Sequence, residues 1–206
     1  MVNTFAQFTL YEILRIIIPG AYFVLGLNKI LVQFLVIRNI KTTDFEITFY
    51  FTVLSILIGI LLYSLDIPKS FKFIKKELPT AVLSREFPNL NKNVIYISYF
   101  NFYDKLPSDF TYHTEKQSNF YHLCVNLAFI NLILLLVTII SNILSPDIYF
   151  LMLEIIFLIV LVISFLGSYF SYVNYLKSLY QRAVAMFRNS DEYLKLKEQA
   201  NSARNT

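Results

Sequence analysis

The chain predicts an all-α membrane protein, with four transmembrane helices and a small cytoplasmic layer made of a long 66–119 loop and an extension of the last helix. Three observations lead there. First, 56% of the 206 residues are hydrophobic and only 16% are charged, where soluble domains carry about 25% charged residues. Second, the runs Tyr121 to Leu144 and Ile148 to Val173 are separated only by Ser145-Pro146-Asp147. Each exceeds the roughly 20 apolar residues that cross a hydrocarbon core of about 30 Å at 1.5 Å per residue, so the pair reads as a transmembrane hairpin. Third, Lys and Arg are unevenly spread. The 66–119 stretch holds eight and the residues after Val173 hold six, against two between Arg38 and Glu46 and none in the 145–147 turn. The positive-inside rule then puts both termini on the cytoplasmic side of an inner membrane.

The first two spans occupy residues 1–65. Leu10, Ile13, Leu14, Ile17 and Ile18 share a helical face from Phe5 to Ile18, with Glu12 and Arg15 off it. Pro19-Gly20 predicts a kink, since proline removes a helical hydrogen bond and clashes with the preceding turn. The span resumes at Ala21 and ends at Ile37. The second span, Ile47 to Leu65, is nineteen uncharged residues, entered from Asp44 and Glu46 and left through Asp66 and Pro68.

The cytoplasmic segment 66–119 opens with Lys69, Lys72, Lys75 and Lys76, opposite Phe71, Ile74 and Leu78, a pattern suited to a short basic helix on anionic lipid. Within it, Val94 to Tyr103 is β-branched and aromatic, which suits a strand and equally a packed helix. Segment 120–174 is the hairpin. Segment 175–206 continues the last helix through the stripe Leu176, Leu179, Tyr180, Val184 and Phe187, and a polar, frayed tail is expected beyond Asn189. Met1 to Thr9 has no Lys or Arg, and no small-residue cleavage site follows, so a signal peptide is not expected. Neither end bears a lipidation motif.

Buried ionisable groups cost about 2.5 to 3.5 kcal/mol each on insertion scales, which singles out Glu12, Arg15, Lys29 and Glu154. Glu12 and Arg15, three apart, can pair on one face. Lys29 can reach outward along its stem, or meet Glu154, which lies roughly 9 Å into its helix at 1.5 Å per residue. Asn126, Asn131 and Asn142, with Ser164, Ser168 and Ser171, are expected to hydrogen-bond between helices. No Gly-x-x-x-Gly motif appears, and lone Cys124 cannot form an intrachain disulfide.

No phosphate loop, Ser/His/Asp set or Cys cluster is present. His113 and His122 are nine apart and lack the spacing for one metal. The chain is therefore expected to be non-enzymatic, without metal or cofactor. Its partners are expected to be the lipid bilayer, copies of itself and a cytoplasmic protein or nucleotide signal; direct nucleic-acid binding is not expected at a net charge of +4. Lys69, Lys72, Lys75, Lys76, Arg182 and Arg188 are the candidate partner-binding residues, and Glu12, Arg15, Lys29, Asn126, Asn131 and Glu154 the intramembrane polar set. The expected function is an oligomerising membrane anchor or effector subunit, one version of which is the membrane component of a bacterial anti-phage defence system. The alternative is a small oligomeric channel or transporter subunit using Lys29 and Glu154. A third class, an enzyme acting on lipid, would need Asp109, His113, Glu115 and His122 to converge.

Overall fold

In the computed structural model, residues 16–37, 47–65 and 76–203 are described. The helix expected before Ile16, the 38–46 loop, the acidic flanks of the second span and the basic stretch 69–75 lie outside the described residues. The elements are α1 (Ile18–Ile37), α2 (Ile47–Ser64), α3 (Pro79–Glu86), α4 (Lys92–Tyr103), α5 (Ser108–Leu144), α6 (Ile148–Ser171), a π-helical segment (Tyr172–Leu176), α7 (Lys177–Arg188) and α8 (Asp191–Ser202). All are helical, and no strand occurs among the described residues.

Among the described residues three helices are long and apolar enough to cross a membrane: Ile18–Val36, Ser108–Leu144 and the continuous helix Ile148–Arg188. The fourth expected span coincides with the 18-residue α2, whose described side chains form the apolar stretch Val53–Leu62.

The chain divides into two compact units, one of Met1–Pro68 with Asn119–Tyr169 and the other of Lys69–Ser118 with Phe170–Thr206. We call them the apolar and the polar unit. Helix α5 contributes to both.

In the apolar unit, Ile30, Leu62, Ile130, Leu134, Phe150, Leu153 and Phe157 form the core. Pro19 stands in the first turn of α1, directly after the π-helical residues 16 and 17, where its missing N–H has little to lose. It is followed by a close backbone crossing. A Cβ at Gly20 would run into the Ser55 carbonyl, and one at Gly59 would run into the Ile16 carbonyl. Ser55 and Gly59 are thus a small-x-x-x-small pair, spent within the chain on α1. The outer side of α6 stays open: Ile148, Leu151, Met152, Ile155, Ile159 and Ile163 are all exposed.

In the polar unit, Leu83, Phe87, Ile95, Tyr99, Phe102, Ala183, Val184, Phe187 and Leu196 form a second core. The open question over 94–103 resolves as a helix. The Asn91 side chain caps α4 by accepting from the Asn93 N–H at 2.9 Å. Ile95, Tyr99 and Phe102, at i, i+4 and i+7, bury one face, so packing overrides β propensity. The 66–119 segment is also not a loop to its end, because α5 starts at Ser108 and residues 108–119 are its first three turns. The frayed tail is a second correction. Ser190 caps α8 through its oxygen, which accepts from Tyr193 N–H, Asp191 and Glu192 favour the positive end of its dipole, and Leu196 is 1% exposed in the core.

Candidate functional site

Two sets of polar side chains stand out, one in each unit. In the apolar unit, Asn131 is fully buried on α5. Its Oδ1 accepts from the Tyr22 hydroxyl of α1 at 2.7 Å, and its Nδ2 donates to the Leu127 carbonyl at 2.7 Å. Thr138 and Ser141 turn back onto carbonyls of their own helix, and Ser168 does the same on α6. Interhelical bonding is made by Tyr22 with Asn131 and, at the α5–α6 turn, by Asn142 with Glu154, not by the expected serines: Ser168 bonds within its own helix, and the Ser171 hydroxyl has no partner among the described residues. Asn126 is 2% exposed, and its Oδ1 has no hydrogen-bond partner among the described residues.

At the turn between α5 and α6 a chain of bonds runs Gln33, Asp147, Asn142, Glu154. Gln33 Nε2 donates to Asp147 Oδ2 at 3.2 Å, the Asp147 N–H donates to Asn142 Oδ1 at 3.2 Å, and Asn142 Nδ2 donates to Glu154 Oε1 at 3.0 Å. Asp147 Oδ1 also accepts from the Tyr149 N–H at 2.7 Å, starting α6. The expected Lys29 to Glu154 pair is not formed. Lys29 is exposed on α1, and among the described residues no ion pair joins the two. The amide of Asn142 satisfies the Glu154 oxygen instead. The Gln33 to Glu154 chain went unread because the sequence shows only four polar residues in separate segments.

Among the described residues of the polar unit, three ion pairs tie its segments together: Lys105 with Glu192, Arg188 with Glu86, and Lys177 Nζ with Glu77 Oε1 at 3.1 Å. Glu77 Oε2 also accepts from the Tyr172 hydroxyl at 2.6 Å, and Tyr172 belongs to the π-helical segment. The Tyr172 hydrogen bond, with Lys177 adding to it, holds the Glu77 carboxyl below its ordinary range. Lys105 does the same to Glu192. Burial pushes the Tyr99 phenol well above its ordinary value.

Of the expected basic set, Lys69, Lys72 and Lys75 lie outside the described residues, as do Glu12 and Arg15. Lys76 is exposed, and its carbonyl accepts from Arg85. Arg182 is exposed, whereas Arg188 is engaged by Glu86 and so serves the fold. A cleft of about 420 Å³ opens between α4 and α8, lined by Ser98, Asn101, Asp104, Lys105, Glu192, Lys195 and Gln199. The polarity of the sequence beyond Asn189, which predicts a frayed tail, hides this cleft. The signal was there: Glu192, Lys195 and Gln199, at i, i+3 and i+7, share a face once 191–202 is a helix.

Among the described residues no three His, Cys, Asp or Glu side chains gather as a metal would need. Asp109 and His113 fall on one face of α5, and Glu115 and His122 on another, so the set expected of a lipid enzyme does not converge. In comparisons with known proteins, no family model matches the chain, and neither a curated protein nor a solved structure is significantly similar to it.

Proposed function

We propose that the chain is a non-enzymatic, multi-span inner-membrane protein, an anchor or effector subunit that oligomerises and engages a cytoplasmic partner through its polar unit. The carrying observation is that one all-helical chain builds two separate cores: an apolar unit with an open apolar surface on α6, and a polar unit with its own core, ion pairs and cleft. In this reading α2 is a fourth span, both termini are cytoplasmic, and the 66–119 and 175–206 segments form the partner-binding layer. The excess of Lys and Arg in those segments supports that orientation. In this reading Lys76, Arg182 and the residues of the α4–α8 cleft are its contact groups, together with Lys69, Lys72 and Lys75 of the sequence. Membership of an anti-phage defence system is the specific version of this role, in which the trigger acts on the polar unit.

The rival channel reading has one observation in its favour, the buried Asn126 carbonyl without a partner among the described residues. It loses the Lys29–Glu154 couple it relied on. Ion flux from liposomes loaded with the full chain, wild type and Glu154→Gln, separates the two. The anchor reading expects no flux from either in the absence of a trigger; a leak in wild type that Glu154→Gln reduces favours the channel.

A further inference from the structure

Helix α4 has no charged residue from Asn93 to Tyr103 and is apolar on most of its circumference. Ile95, Tyr99 and Phe102 face the core of the polar unit, and Ser98 and Asn101 line the cleft beside α8. The remaining face carries Tyr96, Ile97 and Phe100 with the exposed Asn93 of the first turn, and Val94 falls on the cleft side. Tyr96 is 53% exposed, Ile97 58% and Phe100 39%, and the Tyr96 and Phe100 rings meet in a tilted contact with centroids 4.3 Å apart. A contiguous open apolar patch marks an interaction surface.

The chemistry of the surroundings says what covers it. Fourteen of the chain's 18 Lys and Arg fall in the polar unit against eight of its 14 Asp and Glu, so the unit carries +6, and the remaining residues of the chain carry −2. Lys92 opens α4 and is exposed, whereas Lys105 beyond its end is paired with Glu192. Tyr and Phe beside Lys, around an uncharged aliphatic face, is the composition that settles at a lipid headgroup boundary, and net positive charge draws it to anionic lipid. We propose that the Tyr96, Ile97, Phe100 face of α4 docks on an anionic lipid surface, as a peripheral contact separate from the membrane-spanning helices. The proposal rests on the membrane reading above, which tethers this unit to the same bilayer and so raises its effective concentration at the surface.

The chain contains no Trp, so Ile97→Trp and Phe100→Trp each provide a single fluorophore. The exposed Glu198→Trp on α8 serves as the control. Each full-length variant is reconstituted into vesicles of phosphatidylcholine alone, or with a third phosphatidylglycerol, with and without brominated acyl chains. The expected result is blue-shifted emission at 97 and 100 in the anionic vesicles, with quenching by brominated lipid several-fold stronger than at 198, and a weaker effect in phosphatidylcholine alone. Emission at 97 and 100 as water-like as at 198 overturns the proposal. A blue shift that grows with protein density without brominated-lipid quenching also overturns it, in favour of a second copy on this face. An alkaline wash is read separately: release of the chain from the vesicles refutes the membrane reading, and the proposal then stands only if vesicles added from outside still quench the Trp.

Discussion

Asn142 Nδ2 donates to Glu154 Oε1 at 3.0 Å, joining α5 to α6 beside their turn. The same Asn142 accepts from the Asp147 N–H, and Asp147 accepts from Gln33 on α1. A carboxylate that the sequence shows as an isolated cost is thus one end of a chain of bonds that fixes three helices. Glu154→Gln keeps an acceptor oxygen and is expected to melt within a degree or two of wild type in detergent. Glu154→Leu leaves the Asn142 amide unpaired and is expected to cost about 0.6 to 1.7 kcal/mol, between the average and the largest measured interhelical hydrogen bond. Lys29→Ala combined with Glu154→Leu should be additive within about 0.5 kcal/mol; a larger coupling would restore the Lys29–Glu154 pair.

The crossing of α1 and α2 leaves no room for a side chain at Gly20 or Gly59, because the obstruction is backbone carbonyl in both cases. Gly20→Ala and Gly59→Ala are each expected to lose about 1 to 3 kcal/mol, the cost of overpacking that forces backbone shifts. Gly167→Ala should be milder, since a Cβ there meets only the Cys124 sulfur at 3.2 Å, at the end of a side chain that can turn aside. Thermal melting of the three variants in one detergent tests the ranking.

The hairpin, the end of the first span at Ile37 and the helical run past Val173 were legible because hydrophobic length and 3.6-residue periodicity survive in a single sequence. Three things were not. The Ser55 to Gly59 pair is a packing motif only once Gly20 lies opposite it, and no local signal names that partner. The helix over 92–103 opposes its residues' strand propensity, and only the core formed with Phe187 and Leu196 decides it. The order of 191–202 was readable from Ser190, Asp191, Glu192 and the spacing of Tyr193, Leu196 and Ala200, but the surrounding polarity concealed it. The same error hid the α4–α8 cleft.

Acid should loosen the polar unit first. Glu77 and Glu192 are held below the ordinary carboxylate value of 4.5, by the Tyr172 hydroxyl and by Lys105 respectively. A carboxylate lowered in the folded state adds stability that is whole above its unfolded value. That stability is lost as the pH falls from about 4.5 through the lowered folded value. Near-ultraviolet circular dichroism, to which this unit gives eight of the chain's 15 tyrosines, is expected to lose part of its intensity over that window, and Glu77→Gln with Glu192→Gln should flatten the fall. An unchanged slope in the double variant would contradict the assignment.

Helix α8 is expected to be part of the fold. Leu196→Ala should cost about 2 to 5 kcal/mol as a buried large-to-small change, and Ser190→Ala about 1 kcal/mol as a lost cap. Limited proteolysis reads both: the wild-type chain should resist cleavage at Lys195 and Lys197, and Leu196→Ala should be cut there first.

Topology tests the central claim most directly. Cys124 is the chain's one cysteine, so in a Cys124→Ala background new cysteines can be placed singly at Asn3, Pro146 and Asn189. They are then exposed in intact cells to a maleimide that does not cross the inner membrane. A four-span anchor with its polar unit in the cytoplasm predicts labelling at Pro146→Cys from outside, and at Asn3→Cys and Asn189→Cys only after permeabilisation. Labelling at 189 in intact cells, or at 146 only after permeabilisation, would contradict the orientation; labelling at 3 from outside would contradict the fourth span.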